Sequence, residues 1–196
     1  MQFSITKSVR GLALWAVLLT GAVAWALAPA VADQPEKAAI TENDVILARQ
    51  QWCAGLLDIG KVFREGGNYQ ARANQFIDDL YDYQEGRVFF KPTLAYGDRT
   101  FRPTKAGALS YFIDRTADAG FALKYWKSCT FGSNAGGSGI QIHGNIAINM
   151  VTTHLIENTR YMPKPTTVDT TFVFRKGSDG RLRLCVHHSS PHRSTK

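Results

Sequence analysis

The sequence predicts an α+β protein in which three N-terminal helices pack on one face of a curved antiparallel sheet. Three observations lead to this class. Apolar residues recur with helical spacing over much of 41–113, they alternate with polar residues over most of 121–191, and glycine-containing turns separate the alternating segments. Helices that precede strands in this way are typical of α+β domains, in which the helices cover one sheet face.

The first helix is predicted to begin after Thr41, which can cap it because the acidic Asp44 lies three positions later. Its apolar stripe has spacings of three and four residues and consists of Val45, Ala48, Trp52, Leu56, Ile59 and Phe63. The pair Gly66-Gly67 is expected to end this helix. A second helix is predicted over 68–86, and a third begins after Thr104.

Alternating segments between turns predict the strands. They are 87–91, a short piece at 100–102, 122–131 continued by 140–143, 146–157, 167–175 and 181–189. In segment 146–157 both faces carry apolar residues, whereas an antiparallel sheet with one wet face normally alternates cleanly. The three helices can cover one face only. We therefore expect a second copy of the chain to cover the other, in a homodimer or a larger even-numbered assembly.

Residues 1–32 have the pattern of a secretory signal peptide. Lys7 and Arg10 precede the uncharged apolar stretch 11–28, and the small residues that follow fit cleavage after Ala32. The alternative is an uncleaved anchor, since the stretch approaches the ~20 residues that span a bilayer. We expect a periplasmic or secreted protein that meets a membrane only through this segment. The mature protein would consist of a flexible lead-in (33–40), one domain (41–191) and a tail (192–196).

Charge and motifs exclude several other classes of partner. The expected mature chain has 21 basic and 16 acidic residues without a basic stripe, so nucleic acid is not a predicted partner. The chain has no Cys-x-x-Cys motif, and His143, His154 and His192 lack metal-ligand spacing, so we predict neither a metal site nor a cofactor. The glycine-rich segment 132–139 joins two strands and lacks the helix that a phosphate-binding loop requires.

Seven segments of the expected mature chain resemble a known family. They are 90–93, 100–102, 104–112 (Thr-Lys-Ala-Gly-Ala-Leu-Ser-Tyr-Phe), 120–127, 144–147, 167–172 and 179–191. They resemble the association domain of calcium/calmodulin-dependent protein kinase II and its free-standing bacterial relatives, in the nuclear transport factor 2-like superfamily. The resemblance implies a cystatin-like, cone-shaped sheet around three helices, a pocket for a small molecule, and usually a dimer.

The resemblance also implies which side chains line the pocket: Tyr83, Phe90, Phe101, Trp126 and Thr153. Where the kinase association domain has a pocket arginine, this chain has Thr152, Thr153 and His154, so the anion-binding role of that arginine is not expected here. Some bacterial relatives are labelled phosphoribosyl-AMP cyclohydrolase. That enzyme needs a Cys- and Asp-rich metal site, which this sequence lacks.

Asp169 and the pair His187-His188 are the candidate catalytic residues. With a five-residue turn in the last hairpin Asp169 faces His187, and with a four-residue turn it faces His188. An Asp that holds one imidazole nitrogen while the other meets a substrate is a general acid–base unit. We expect a non-catalytic binding or assembly domain with a small-ligand pocket. The alternative is a cofactor-free isomerase, dehydratase or hydrolase that uses this pair.

Three cysteines fall in the expected mature chain. Cys53 lies in the first helix beside the core-facing Trp52, and Cys129 lies on a strand that this helix can reach. Cys185 occupies a position that is aliphatic in the related pattern, as expected of a small buried hydrophobe. An oxidising compartment favours one disulfide. We predict that it joins Cys53 to Cys129 and leaves Cys185 reduced.

Overall fold

The structure is a computed structural model that describes residues 39–133, 139–159 and 162–193. The helices are α1 (Glu42–Arg64), α2 (Tyr69–Leu80) and α3 (Lys105–Ile113). The strands are β1 (Phe89–Lys91), β2 (Trp126–Phe131), β3 (Gly139–His143), β4 (Ile146–Asn158), β5 (Pro163–Lys176) and β6 (Leu182–Pro191). None of the helices in these ranges is long and apolar enough to cross a membrane. The expected signal peptide and its cleavage site lie outside the described residues.

Side-chain caps set the helix starts. The Thr41 hydroxyl accepts a hydrogen bond from the Asp44 amide, and the Asp44 carboxylate accepts one from the Thr41 amide at 2.8 Å. This is the capping box expected at the start of α1. Helix α2 ends at Leu80, six residues before the predicted end, because Tyr81 is extended and pairs with Leu184.

The described strands form one curved sheet in the order β1-β6-β5-β4-β2, and β3 also pairs with β4. The sheet is mixed rather than purely antiparallel, because β1 runs parallel to β6 with Phe90 beside His187. The chain leaving α2 already runs alongside β6 at the Tyr81–Leu184 bridge, and β1 continues in that direction.

Strands β2 and β3 form two parts of one sheet edge. The first pairs with residues 153–157 of β4 and the second with residues 146–150. One predicted strand, 122–131, begins too early, and the predicted short strand 100–102 is wrong. Residues 121–123 form a 3-10 turn, so β2 begins only at Trp126, and a 3-10 turn at 97–99 leads into 100–102, which is not a strand.

The core lies between the helices and the inner face of the sheet. Phe172 and Phe174 of β5 are fully buried there. On the outer face Ile146 and Ile148 are half-buried and Met150 is 55% exposed. The two phenylalanines therefore belong to the core, and the apolar outer face is formed by other residues.

A disulfide joins Cys53 of α1 to Cys129 of β2, the pair chosen from the sequence. The two Cα atoms are 5.4 Å apart, and the cysteines are 76 residues apart in the chain. Closing a loop of this length stabilises a fold by about 4 kcal/mol on the chain-entropy argument. Cys185 is a free thiol whose pKa is raised by burial.

Candidate functional site

A small pocket lies between the helices and the inner face of the sheet. It has about 310 Å³ of empty space, part of which is open to solvent. The interior is narrow and has room for about one molecule the size of water. Its apolar and aromatic walls are Trp52, Phe90, Pro92, Tyr111, Phe112, Phe121, Leu155 and Val168. Its remaining lining is polar and consists of Thr93, Thr153, Thr170, His187 and Ser189.

Two of the polar residues lie on the buried inner face of the sheet. Thr153 lies on the inner face of β4 and Thr170 on the inner face of β5. Both are buried, and their hydroxyl oxygens are 2.8 Å apart. Each hydroxyl thus has a partner, which a buried polar group requires.

A β-bulge brings His187 and Ser189 to the same inner face. Val186 pairs with Val173 and Leu184 with Phe174, so Cys185 between them has no opposite residue. One extra residue shifts the alternation of the strand by one position. Without the bulge, a strand that buries Leu184 would turn His187 outward.

His187 is buried among aromatic rings. Its ring stacks on Phe90 with centroids 4.8 Å apart, and Phe172 lies at the same distance. Its Nδ1 is 2.8 Å from the Tyr81 hydroxyl, which accepts a hydrogen bond from Nε1 of Trp52. Burial, helped by nearby His188, lowers the pKa of His187 to about 3. The imidazole is therefore neutral at pH 7.

The hydroxyls of Thr93 and Ser189 form a second polar pair. Strand β1 lies beside β6, and the Thr93 hydroxyl therefore reaches Ser189 Oγ, to which it donates at 2.8 Å. Ser189 is also directly opposite Thr170 in the sheet register. A row of four hydroxyls thus runs from β4 across β5 and β6 to Thr93, the second residue after β1.

Tyr111 completes the lining with a phenol. Burial raises the pKa of Tyr111 well above its ordinary value, and the backbone of Leu94 makes a hydrogen bond to its hydroxyl. The pocket thus offers hydroxyls and one neutral imidazole, and no carboxylate lines it. In the described ranges no three His, Cys, Asp or Glu residues are grouped so as to hold a metal ion. This lining suits a small molecule whose oxygen atoms make hydrogen bonds.

The predicted pairing of Asp169 with His187 or His188 is wrong. The hairpin closes between residues 176 and 182, and the bulge adds one more position, so Asp169 lies opposite Ser190. The Asp169 carboxylate instead contacts Nδ1 of His192 at 2.8 Å on the exposed outer face. His188 is exposed, and only His187 reaches the pocket.

Of the five predicted pocket residues, Phe90 and Thr153 line the pocket. Trp126 is buried elsewhere, where its indole donates to the Phe121 carbonyl at 2.7 Å. The Tyr83 hydroxyl donates to the Arg102 carbonyl at 2.8 Å. Phe101 follows the 97–99 turn and is 71% exposed. These three side chains do not line the pocket.

Sequence reasoning missed ten of the residues that line the pocket: Trp52, Pro92, Thr93, Tyr111, Phe112, Phe121, Leu155, Val168, Thr170 and Ser189. A usable signal existed for one of them. Thr170 lies between Val168 and Phe172 on a face that is otherwise apolar, and Thr153 interrupts β4 in the same way. A polar residue at such a position marks either a satisfied core hydrogen bond or a ligand site.

The sequence profile of one family, metal-independent carbonic anhydrase, matches residues 43–191. The metal-independent carbonic anhydrase of Nostoc sp. (strain PCC 7120) is 42% identical over 158 residues, which cover 78% of this chain and 74% of that protein. The crystal structure of an iota-carbonic anhydrase from a cyanobacterium, complexed with bicarbonate, aligns with a TM-score of 0.72 at 40% identity. The match covers 80% of this chain and 95% of that chain.

More distant structures share the fold. A calcium/calmodulin-dependent protein kinase II association-domain protein from Xanthomonas campestris aligns with a TM-score of 0.57 at 17% identity, over 82% of this chain and 96% of its own. A nuclear transport factor 2-like protein from Salmonella enterica aligns with a TM-score of 0.50 at 14% identity, over 79% of this chain and 92% of its own. The predicted nuclear transport factor 2-like α+β fold is therefore confirmed.

The expectation of a non-catalytic binding or assembly domain is wrong, because the matching family and the relatives at 40% identity or more are enzymes by name. The alternative, an enzyme, agrees better with these findings, but the Asp169 pair on which it was based does not form. With the family profile covering residues 43–191, the chain belongs to the metal-independent carbonic anhydrase family.

Proposed function

We propose that this protein is a carbonic anhydrase that interconverts carbon dioxide and bicarbonate with the side chains of its own pocket. The observation that carries the proposal is the small pocket in which aromatic walls face a row of hydroxyls and a neutral imidazole. Membership of the family and the bicarbonate complex of the cyanobacterial relative support it.

The pocket suits both sides of this reaction. Carbon dioxide is small and has no net dipole, so it fits against the rings of Phe90, Phe112 and Trp52. Bicarbonate is a small anion whose three oxygens accept hydrogen bonds, and the hydroxyls of Ser189 and Tyr111 can donate them. The limited empty space excludes larger carbonyl compounds.

In the hydration direction, a water oxygen forms a bond to the carbon of carbon dioxide. One C–O π bond breaks, its electron pair moves to an oxygen, and the water loses a proton. Donors aimed at that oxygen stabilise the developing negative charge. The Ser189 hydroxyl is suited to this because it accepts from Thr93 and keeps its own hydrogen for the pocket. Since a hydroxyl both donates and accepts, the half-buried Thr93 can pass the proton towards solvent.

Replacing Ser189 tests the site, and its neighbour Ser190 provides a matched control. Ser189 lines the pocket, whereas Ser190 lies on the opposite face of the same strand. We expect Ser189→Ala to lower the rate of carbon dioxide hydration by about one to two orders of magnitude, as the loss of one transition-state donor does. Stopped-flow assays with a pH indicator measure this rate. Equal losses in Ser189→Ala and Ser190→Ala would refute the assignment of the pocket.

We also propose that the enzyme acts as a homodimer in the periplasm or outside the cell. The outer sheet face supports the first part, since Ile146, Ile148, Met150 and Val173 form an apolar surface that the helices leave uncovered. The signal-peptide pattern of residues 1–32 supports the second part.

A further inference from the structure

A chain of two hydrogen bonds links Trp52, Tyr81 and His187 beneath the pocket. We propose that Tyr81, oriented by Trp52, holds His187 in the tautomer that carries its hydrogen on Nε2, so that His187 donates a hydrogen bond into the pocket. Tyr81 is then a positioning residue of the reaction. This inference rests on the proposed carbonic anhydrase function for its catalytic consequence, and on the geometry alone for the tautomer.

Counting donors and acceptors leads to this tautomer. The Trp52 indole N–H can only donate, so at 2.9 Å it uses an acceptor position on the Tyr81 oxygen. The single hydroxyl hydrogen of Tyr81 then needs an acceptor. In the described part of the chain the partner within reach is Nδ1 of His187, at 2.8 Å. Nδ1 can accept only when it carries no hydrogen, and the neutral ring then carries it on Nε2.

The opposite tautomer leaves a buried group without a partner. With a hydrogen on Nδ1, both Trp52 and His187 would donate to the Tyr81 oxygen, and the Tyr81 hydroxyl hydrogen would have no acceptor. Tyr81 is 1% exposed, so water does not replace that acceptor. An unsatisfied buried donor shifts such an equilibrium by about tenfold or more.

The surrounding structure fixes the position of the Tyr81 hydroxyl. The Tyr81 amide closes the last turn of α2 on the Ile77 carbonyl, and its backbone pairs with Leu184 of β6. Its ring packs against Tyr83 with nearly parallel planes. Burial also raises the pKa of Tyr81 well above its ordinary value, so its hydroxyl keeps its hydrogen at neutral pH.

The consequence for the reaction concerns the second ring nitrogen. His187 lines the pocket, its Nδ1 is used by Tyr81, and within the described residues Nε2 has no hydrogen-bond partner. An N–H at Nε2 stabilises the negative oxygen that forms as carbon dioxide becomes bicarbonate. The relay thus makes His187 a hydrogen-bond donor rather than a base that takes a proton from water.

The test is nitrogen-15 NMR of the full chain with labelled histidines, in which the signals of His187 are assigned by their loss in His187→Gln. The wild type should show one neutral tautomer with its hydrogen on Nε2. In Tyr81→Phe we expect both tautomers, together with a bicarbonate dissociation constant raised by about tenfold. Tyr83→Phe is the matched control, because it also removes one tyrosine hydroxyl that makes a hydrogen bond, but none that contacts His187. It should leave both readouts unchanged.

The proposal is overturned if the wild type carries the hydrogen on Nδ1. It is also overturned if folded Tyr81→Phe keeps the wild-type tautomer. Should Tyr81→Phe not fold, the wild-type spectrum alone decides the tautomer. Because this readout needs no turnover, a wild type that does not hydrate carbon dioxide would defeat the carbonic anhydrase proposal and leave the tautomer result intact.

Discussion

At the scale of single residues, His187 shows how burial decides chemistry. A histidine in water titrates near neutral pH and serves as a base. Here aromatic rings surround the imidazole, and desolvation lowers its pKa to about 3. The same residue type on the other face of the strand, His188, is exposed. Of the two adjacent histidines, His187 therefore lines the pocket and His188 faces solvent.

The buried imidazole predicts how stability depends on pH. The unfolded chain binds a proton at His187 below about pH 6.5, whereas the folded protein does so only near pH 3. The contribution of the neutral His187 to the free energy of unfolding is fully present above about pH 6.5. It is lost as the pH falls from about 6.5 to about 3. The free energy of unfolding should decrease by about 1.4 kcal/mol per pH unit from this residue.

Urea unfolding at pH 7, 6 and 5 measures this slope. His187→Gln should flatten it, because the variant has no titrating group in the core at this position. His188→Gln, altered on the exposed face, serves as the control and should keep the wild-type slope. Identical slopes in wild type and His187→Gln would contradict a neutral, buried His187.

Sequence reasoning at this scale left His187 and His188 as alternatives and gave both the wrong partner. The apolar stripe of β6 does not reveal the extra residue at Cys185, because a bulge leaves the composition of a strand unchanged. One shifted position decides which face a side chain occupies. The contact of His187 with Tyr81 joins residues 106 positions apart, and no local pattern predicts such a contact.

At the scale of elements, the helices and long strands could be predicted because their periodicity repeats many times. The cap at Thr41 and the stripe of α1 appear in the structure as predicted. The start of β2 could not be predicted, because residues 121–123 are as apolar as a buried strand and only the hydrogen bonds distinguish the 3-10 turn from the strand. The direction of β1 depends on how the chain leaves α2, which is a tertiary property.

The outer face of β4 allows a prediction about assembly. Met150→Lys should weaken self-association and leave the fold intact, because its side chain is 55% exposed on the apolar outer face. Leu47→Lys, on the exposed side of α1, is the control for a new charge elsewhere. Light scattering at micromolar concentration gives the mass of each variant. A wild type that is monomeric under these conditions would exclude the dimer.

At the scale of the whole molecule, the fold could be inferred from the sequence and the activity could not. The nuclear transport factor 2-like fold hosts unrelated functions, so the resemblance to a kinase association domain did not indicate the reaction. The catalytic proposal depends on side chains from α1, β1, α3, β4, β5, β6 and the residues after β1, which only the folded chain brings together. Each is an ordinary residue in its own segment, so no sequence motif marks the site.

The most direct measurement is the rate of carbon dioxide hydration by the purified wild type after exhaustive treatment with a chelator, with metal content checked by elemental analysis. We predict the full rate in the metal-depleted protein, because hydroxyls and a neutral imidazole form the polar lining of the pocket. A rate no higher than that of the uncatalysed reaction, or activity that returns only when a divalent metal is added, would contradict the account.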